Sequence, residues 1–272
     1  YEIRLSLVGS EMCIRDRAAY IGAGFPVLPY TFFDREAWHK DMEAVLDACE
    51  AKLHYPLFVK PSNLGSSIGI SKAHDRNELK TAIDIAAGYD RRILVEQGLD
   101  SPKEINCSAM GFGNEVTASV CEMPYNADEF LTFSDKYLNG GKNQASMEAL
   151  ARRIPAPISE ELTKRIQKMS VDIFKLMDCK GVVRIDYIGD KNLENLYVNE
   201  INTIPGSLAF YLWEPLGISY QKLIDKLIDY AMLAHKAKKS NNFAFDSEII
   251  SKFASGSQKG GKGWIGKTGA GT

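Results

Sequence analysis

Two short apolar runs, Val183-Arg184-Ile185-Asp186-Tyr187 and Leu196-Tyr197-Val198-Asn199-Glu200-Ile201-Asn202, carry four polar residues whose types and spacing could do chemistry. In an extended strand residues two apart share a face, so Arg184 and Asp186 project to one side and Val183, Ile185 and Tyr187 to the other. The same rule puts Glu200 and Asn202 together. Only Asp190, Lys191 and Asn192 separate the two strands, which reads as a hairpin that gathers all four polar groups on one patch. Asp, Glu and Asn offer oxygen to a hard cation, and Mg²⁺ takes one or two carboxylates while keeping positions for phosphate and water. The same four residues also read as a salt-bridged solvent face of an antiparallel sheet.

Two glycine-rich stretches compete for the phosphates. Gly261 to Thr268 fit G-x-x-x-x-G-K-[ST], but no apolar run precedes them and four residues follow Thr268, so neither the strand nor the helix that gives this pattern its mechanism can form. That stretch reads as a flexible Gly/Lys/Ser tail. In FVKPSNLGSSIGISK, by contrast, Lys60 closes a buried strand and the chain returns to a strand at Ile70. Between them Ser62, Gly65, Ser66, Ser67 and Gly69 allow backbone N–H groups close to an anion, hydroxyls add donors, and Lys60 supplies a point charge. A hairpin rich in turn residues would need no lysine at the strand end.

The elements that must position these groups follow from periodicity. AAYIGAGFPVLPYTFF reads as a turn and an extended segment, REAWHKDMEAVLDACEAKL as one amphipathic helix, and YPLFVKP as a buried strand. SIGISKA, a helix opened by Asp75, and RRILVEQGL complete an α/β unit spanning 18–99. A second unit, 100–240, opens with the alternating strands KEINCSAMGFG and EVTASVCEM, which suit an antiparallel sheet covered on one face. Pro124 to Pro157 is a polar stretch long enough to be a functional lid. The helix SEELTKRIQKMSVDIFKLM, strands GVVRIDYIG and ENLYVNEIN, and the helix SYQKLIDKLIDYAMLAHKA follow, and residues 241–272 form a flexible tail. Residues 1–17 lack clean periodicity and read as foreign to the fold.

Across 272 residues, 45% are hydrophobic and 25% charged, with a net charge of −2. These values describe an ordinary soluble chain, with a cytoplasmic location as the default and no general attraction to nucleic acid or anionic membrane. No run approaches the ~18 apolar residues of a spanning helix. Cys13, Cys49, Cys107, Cys121 and Cys179 are scattered without a C-x-x-C pair and read as buried small hydrophobes rather than a disulfide framework. His39, His54, His74 and His235 have no ligand spacing.

FVKPSNLGSSIGISK, ILVEQGLDSPKEINC, SDKY, GVVRIDY and NEINTIPGS, in this order over residues 18 to about 236, resemble the ATP-grasp carboxylate-amine ligases, and within them the D-alanine:D-alanine ligases. The resemblance implies an α+β ATP-grasp fold in which two α/β lobes enclose ATP. It implies that a first D-alanine carboxylate takes the γ-phosphoryl group and that the amine of a second D-alanine captures the acyl phosphate, for peptidoglycan precursor synthesis. Lys60 matches the lysine on the ATP phosphates, within the loop carrying Ser62, Gly65 and Ser67. Glu96, Gln97 and Leu99 match the adenine-reading hinge, and Glu104 matches the ribose-binding glutamate. Lys136 and Tyr137 match the loop that closes over phosphates and acceptor, which agrees with a lid that keeps water from the acyl phosphate. Asp186, Glu200 and Asn202 match the ligands of Mg²⁺ (or Mn²⁺). Arg184 and the backbone at Gly206 match the groups that stabilise the oxyanion, and Ser66 matches a serine on the acceptor side.

Three departures accompany the resemblance. Family members carry an N-terminal domain with a glutamate that holds the first D-alanine, for which no counterpart is found, and related ligases form dimers partly through it; a homodimer is therefore an open expectation. Cys13 stands where an ATP-binding lysine is usual. Tyr211 stands where a serine usually grips the second substrate's carboxylate, which leaves D-lactate, D-serine or another acceptor as alternatives, and a nucleotide-binding fragment without turnover as a third reading. Because the phosphates are assigned to Lys60 and the Ser62–Gly69 loop, a chain ending at Lys238 is expected to keep its ATP affinity in a calorimetric titration. Loss of affinity on removing the tail would return the phosphates to Lys267.

Overall fold

The computed structural model describes residues 12–62, 64, 68–124 and 152–241. The expectations placed on Gly65, Ser66, Ser67, Lys136, Tyr137, most of the 124–157 lid and the 242–272 tail lie outside them. One compact unit runs to Ala231, and a second begins at Met232. Among the described residues no helix is long and apolar enough to cross a membrane.

Helix α1 (Met12–Gly22) leads to β1 (Tyr30–Asp34), α2 (Arg35–Lys40), α3 (Met42–Glu50), β2 (Leu57–Pro61), β3 (Ser71–Ala73), α4 (Arg76–Tyr89) and β4 (Arg92–Gln97). These strands form an antiparallel sheet of order β1-β4-β2-β3. Alternation sets its two faces. Leu57, Val59, Ile93 and Val95 pack against Trp38, Leu46, Leu79 and Ile83 of the helices, while Lys60 and Glu96 emerge on the other face. The single helix expected over Arg35–Leu53 is broken at Asp41, whose backbone is extended and whose Oδ1 accepts from the N–H of Ala44 at 3.0 Å. An aspartate that can cap a new helix competes with continuation of the old one. Asp75 caps α4 as expected, accepting from the N–H groups of Asn77 and Glu78.

The second sheet has order β7-β6-β5-β8-β9, built from β5 (Lys103–Phe112), β6 (Glu115–Pro124), β7 (Arg152–Arg153), β8 (Gly181–Gly189) and β9 (Leu196–Asn202). Helix α5 (Glu160–Leu176), capped by Ser159, covers one face and buries Ile105, Cys107, Cys121, Ile173, Ile185 and Tyr187. On the other face Met110 and Val182 pack against Leu212 and Trp213; Leu212 ends one 3₁₀ turn, Gly206–Leu212, and Trp213 joins it to a second, Glu214–Leu216. The Trp213 indole donates to Ser108 Oγ at 3.1 Å, and Ser108 donates to the Val183 carbonyl at 2.8 Å. Helix α6 (Tyr220–Lys239) follows and buries Leu223.

Two boundaries differ from the sequence reading. Helix α1 runs unbroken across position 17, so residues 12–17 continue the helix that follows them; Arg17 is 2% exposed and bound to Glu96, and Tyr20 lies in the core of the second sheet. The β8–β9 connection has six residues, Asp190 to Asn195, rather than three. The Asp190 carboxylate accepts from the N–H groups of Asn192, Glu194 and Asn195 and from Asn195 Nδ2, so the loop folds around it and its carboxyl is held below the usual range by the bond from Asn195.

The β5–β6 hairpin closes so tightly at Gly111 that a Cβ there would lie 2.1 Å from the Glu115 carbonyl oxygen, whereas one at Gly88 near the end of α4 would meet nothing within 4 Å. Gly111→Ala is therefore expected to lower the unfolding free energy by about 1–3 kcal/mol through forced backbone movement. Gly88→Ala should raise it by about 0.4–1 kcal/mol by restricting the unfolded chain. Urea denaturation of both variants checks the pair, and a Gly111→Ala protein as stable as its parent would refute the close-approach account.

Candidate functional site

The β8–β9 pair is where the polar side chains meet. Arg184 lies opposite Asn202 and Asp186 opposite Glu200. The register shifts by one residue between the Asp186 and Tyr187 pairs, because Asp186 faces Glu200 while Tyr187 faces Val198, leaving Asn199 as the extra residue of a bulge. In an unbroken strand Glu200 would share a face with buried Val198. The bulge turns it to the side of Asp186.

Arg184 grips Asp186 with two parallel bonds, Nε to Oδ1 at 2.6 Å and Nη2 to Oδ2 at 2.7 Å. Asn202 Nδ2 donates to Asp186 Oδ2 at 2.8 Å and to Glu200 Oε1 at 3.3 Å. The Asp186 side chain is 13% exposed. Burial pushes its carboxyl up to about 7; the bonds and charge of Arg184 work against that shift, and the nearby charges of Glu200 and Glu104 add to it. For Arg184, burial opposes the charge, but the Asp186 bonds and charge prevail and hold the guanidinium well above its ordinary value. One arginine thus faces two close carboxylates, a surplus of negative charge that a divalent cation would neutralise. The donor set fits Mg²⁺: two carboxylates and an amide, with exposed Glu200 open to solvent. Among the described residues no group of three His, Cys, Asp or Glu is placed to hold a metal ion.

The row extends beyond the hairpin. Asn106 on β5 pairs with Asp186 on one side and with Glu122 of β6 on the other. Asn106 Nδ2 donates to Glu122 Oε1 at 2.9 Å, and Tyr211 Oη donates to the same oxygen at 3.2 Å. Arg152 of β7 lies with its guanidinium 4.6 Å from the Tyr211 ring centroid. The sequence reading did not select Asn106, Glu122 or Arg152. Asn106 was within reach, since period two puts it on the face of Glu104, but a second bulge between the Cys107 and Ala109 pairs hides the facing of Glu122. Gly206 opens a turn in which Ser207, Leu208 and Ala209 all hold φ near +50°, a left-handed run that L residues adopt at a cost and that clusters at functional sites.

On the first sheet, Lys60 Nζ binds Glu96 Oε2 at 2.5 Å, and Arg17 binds Glu96 Oε1 through Nε at 3.0 Å and Nη2 at 2.5 Å. Burial alone would raise the Glu96 carboxyl, but the Lys60 and Arg17 charges outweigh it and hold the carboxyl below the usual carboxylate range. Its carboxylate is committed to these two cations. Gln97 Oε1 accepts from the His54 N–H at 3.1 Å, Leu99 is half-buried, and Glu104 is exposed. Ser62 is buried, and its hydroxyl has no hydrogen-bond partner among the described residues. Arg17 escaped selection because it lies in the segment set aside as foreign.

A family model described as "D-ala D-ala ligase C-terminus" matches residues 20–229. A D-alanine–D-alanine ligase of Acetivibrio thermocellus is 42% identical over 214 residues, covering 77% of this chain and 54% of the relative. One from Thermosipho africanus is 37% identical over 225 residues, covering 83% and 58%. This chain therefore spans little more than half the length of these two relatives. Among solved structures, the VanG D-Ala:D-Ser ligase of Enterococcus faecalis matches with a TM-score of 0.66 and 29% identity over 80% of this chain and 60% of that one. The D-alanine–D-alanine ligase of Coxiella burnetii, at TM-score 0.65 and 24% identity over 92% and 62%, shows the fold alone, which is the α+β ATP-grasp fold. With more than half of its residues inside the family match, the chain belongs to the D-alanine–D-alanine ligase family by its C-terminal region.

Proposed function

We propose that this chain carries the nucleotide- and metal-binding portion of an ATP-dependent ligase that joins D-alanine to D-alanine through an acyl phosphate, in the cytoplasm, for peptidoglycan precursors. The observation that carries the reading is the surplus carboxylate charge where Asp186 and Glu200 face each other beside Arg184. Asp186, Glu200 and Asn202 would hold Mg²⁺, which when bound supplies charge neutralisation to the phosphates. In the arrangement seen, Asn202 presents its amide nitrogen to both carboxylates, so ligation through its oxygen requires the amide to turn over. Lys60 would place its ammonium against the phosphates. Its bond to buried Glu96 fixes the side chain in one direction before any ligand arrives. Arg184, tied by two bonds to Asp186, is a fixed cation suited to an oxyanion that forms during amine attack, with the N–H of Gly206 as a second donor.

A second acceptor reading, D-serine, draws on Tyr211 and on the likeness to the VanG D-Ala:D-Ser ligase. It shares the nucleotide site and differs only at the acceptor end.

Asp186→Asn and Glu200→Gln are each expected to weaken binding of a Mg²⁺-loaded ATP analogue by about tenfold or more, since each removes charge from a two-carboxylate site. Asp172→Asn on the outer side of α5, where the carboxylate pairs with Lys168, should leave it unchanged. Asp190 is unsuited as the control because its loop folds around it. Isothermal titration of the three variants decides the matter, and equal affinities would remove the cation site from β8 and β9.

A further inference from the structure

The two groups assigned to the oxyanion, Arg184 and the N–H of Gly206, belong to different elements, β8 and the 3₁₀ turn Gly206–Leu212. One buried serine connects those elements. Ser108 of β5 is fully buried and stands directly opposite Arg184 in the sheet register. Its hydroxyl accepts the Trp213 indole N–H at 3.1 Å and donates to the Val183 carbonyl at 2.8 Å, so its one proton goes to β8 and a lone pair goes to the residue that follows the turn. The turn needs such an anchor. Ser207, Leu208 and Ala209 hold φ of 50°, 55° and 51°, a left-handed run of L residues that persists only where its surroundings fix it. The bonds from the Leu208 N–H to the Pro205 carbonyl and from the Trp213 N–H to the Phe210 carbonyl, both 2.9 Å, shape the coil without tying it to the sheet. Packing of Ala209 and Leu212 with Met110 and Val182 holds it down, but apolar contact is non-directional. Tyr211 binds Glu122 of β6, whereas the chain of bonds from Trp213 through Ser108 to Val183 runs to β8, the strand that carries Arg184.

Resting on the ligase reading above, we propose that Ser108 and Trp213 are positioning residues that hold the Gly206 N–H at a fixed spacing from the Arg184 guanidinium, so that both donors meet a tetrahedral oxyanion together. Neither residue touches the reacting atoms. Arg184 is already fixed on its own strand by its two bonds to Asp186, which leaves the turn as the part to be placed. Donors that are set in advance stabilise an oxyanion because they need not move as its charge develops, and displacing one of them weakens the charged tetrahedral state selectively. A planar amide carries less charge on its oxygen and responds less to the same displacement. The chain of bonds also accounts for a serine at a fully buried position beside apolar Met110 and Val182, where a hydroxyl is tolerated only with its hydrogen bonds made.

The test is calorimetric titration of two ligands into the chain loaded with Mg²⁺ and a non-hydrolysable ATP analogue: D-alanyl-D-alanine, and a phosphinate of the same shape whose tetrahedral PO₂⁻ group stands in for the oxyanion. The parent should bind the phosphinate at least about tenfold more tightly than the dipeptide. Ser108→Ala and Trp213→Phe should each weaken the phosphinate about tenfold and leave the dipeptide unchanged, and the double variant should lose no more than the larger single loss, because both changes break the same bond. Ser170→Ala removes an equally buried hydroxyl on the opposite face, where it bonds the Ile166 carbonyl and Tyr187; it should lower the melting temperature yet keep the preference, which separates placement from stability. Either single variant decides alone if the other fails to fold by thermal melting. The proposal is overturned by a Ser108→Ala protein that keeps the parent's preference, by losses that add in the double variant, by an equal loss in Ser170→Ala, or by a parent that binds nucleotide without preferring the phosphinate. A parent that binds no nucleotide sinks the ligase reading instead, and amide hydrogen exchange over residues 206–213 then decides the anchor: exchange about tenfold faster in Ser108→Ala than in the parent supports it, and equal rates overturn it.

Discussion

One extra residue in each of two strands decides which side of the second sheet gathers the polar groups. Asn199 bulges out of β9 and sends Glu200 to the face of Asp186; the irregularity in β6 sends Glu122 to the same face while Cys121 stays in the core. Without these bulges strict alternation would drive both glutamates into apolar packing, where an unpaired charge is intolerable. The Asn202 bridge to Glu200 and the Asn106 link to Glu122 depend on this re-aiming, whereas the bidentate grip of Arg184 on Asp186 lies within β8 and follows from alternation alone.

The charge bookkeeping on that row differs from the one on the first sheet. Glu96 meets two cations and is more than balanced, whereas Asp186, Glu200 and Glu122 share Arg184 and Arg152. A surplus of positive charge therefore stands where phosphate oxygens are expected, and a surplus of negative charge where a metal ion is expected. Such complementary imbalance is costly to the empty protein and is relieved by ligands.

Much of this was legible in the sequence because it follows from local rules. Period two separated Arg184 and Asp186 from Ile185 and Tyr187, and Asp75 announced its helix. What could not be read were the features set by partners far along the chain. Neither bulge leaves a mark in an apolar–polar pattern, since the extra residue is defined only against the neighbouring strand. Arg152 sits on a two-residue strand, too short for any periodicity. Asp41 breaks a helix whose apolar spacing continues across it, because capping chemistry outweighed the pattern. The tie between Arg17 and Glu96 joins residues 79 positions apart.

Among the described residues two tryptophans are fully buried, one to each sheet. Trp38 packs in the core of the first and donates to Asp84 Oδ1 at 2.8 Å; Trp213 packs against the second and donates to Ser108. Both indoles are shielded from water and anchored through the ring N–H, so each emits as a fluorophore in an apolar, fixed setting. Each sheet thereby contains its own optical reporter, and with Trp264 also replaced, a Trp→Phe change at Trp38 or at Trp213 would let the loosening of the remaining sheet be followed by emission.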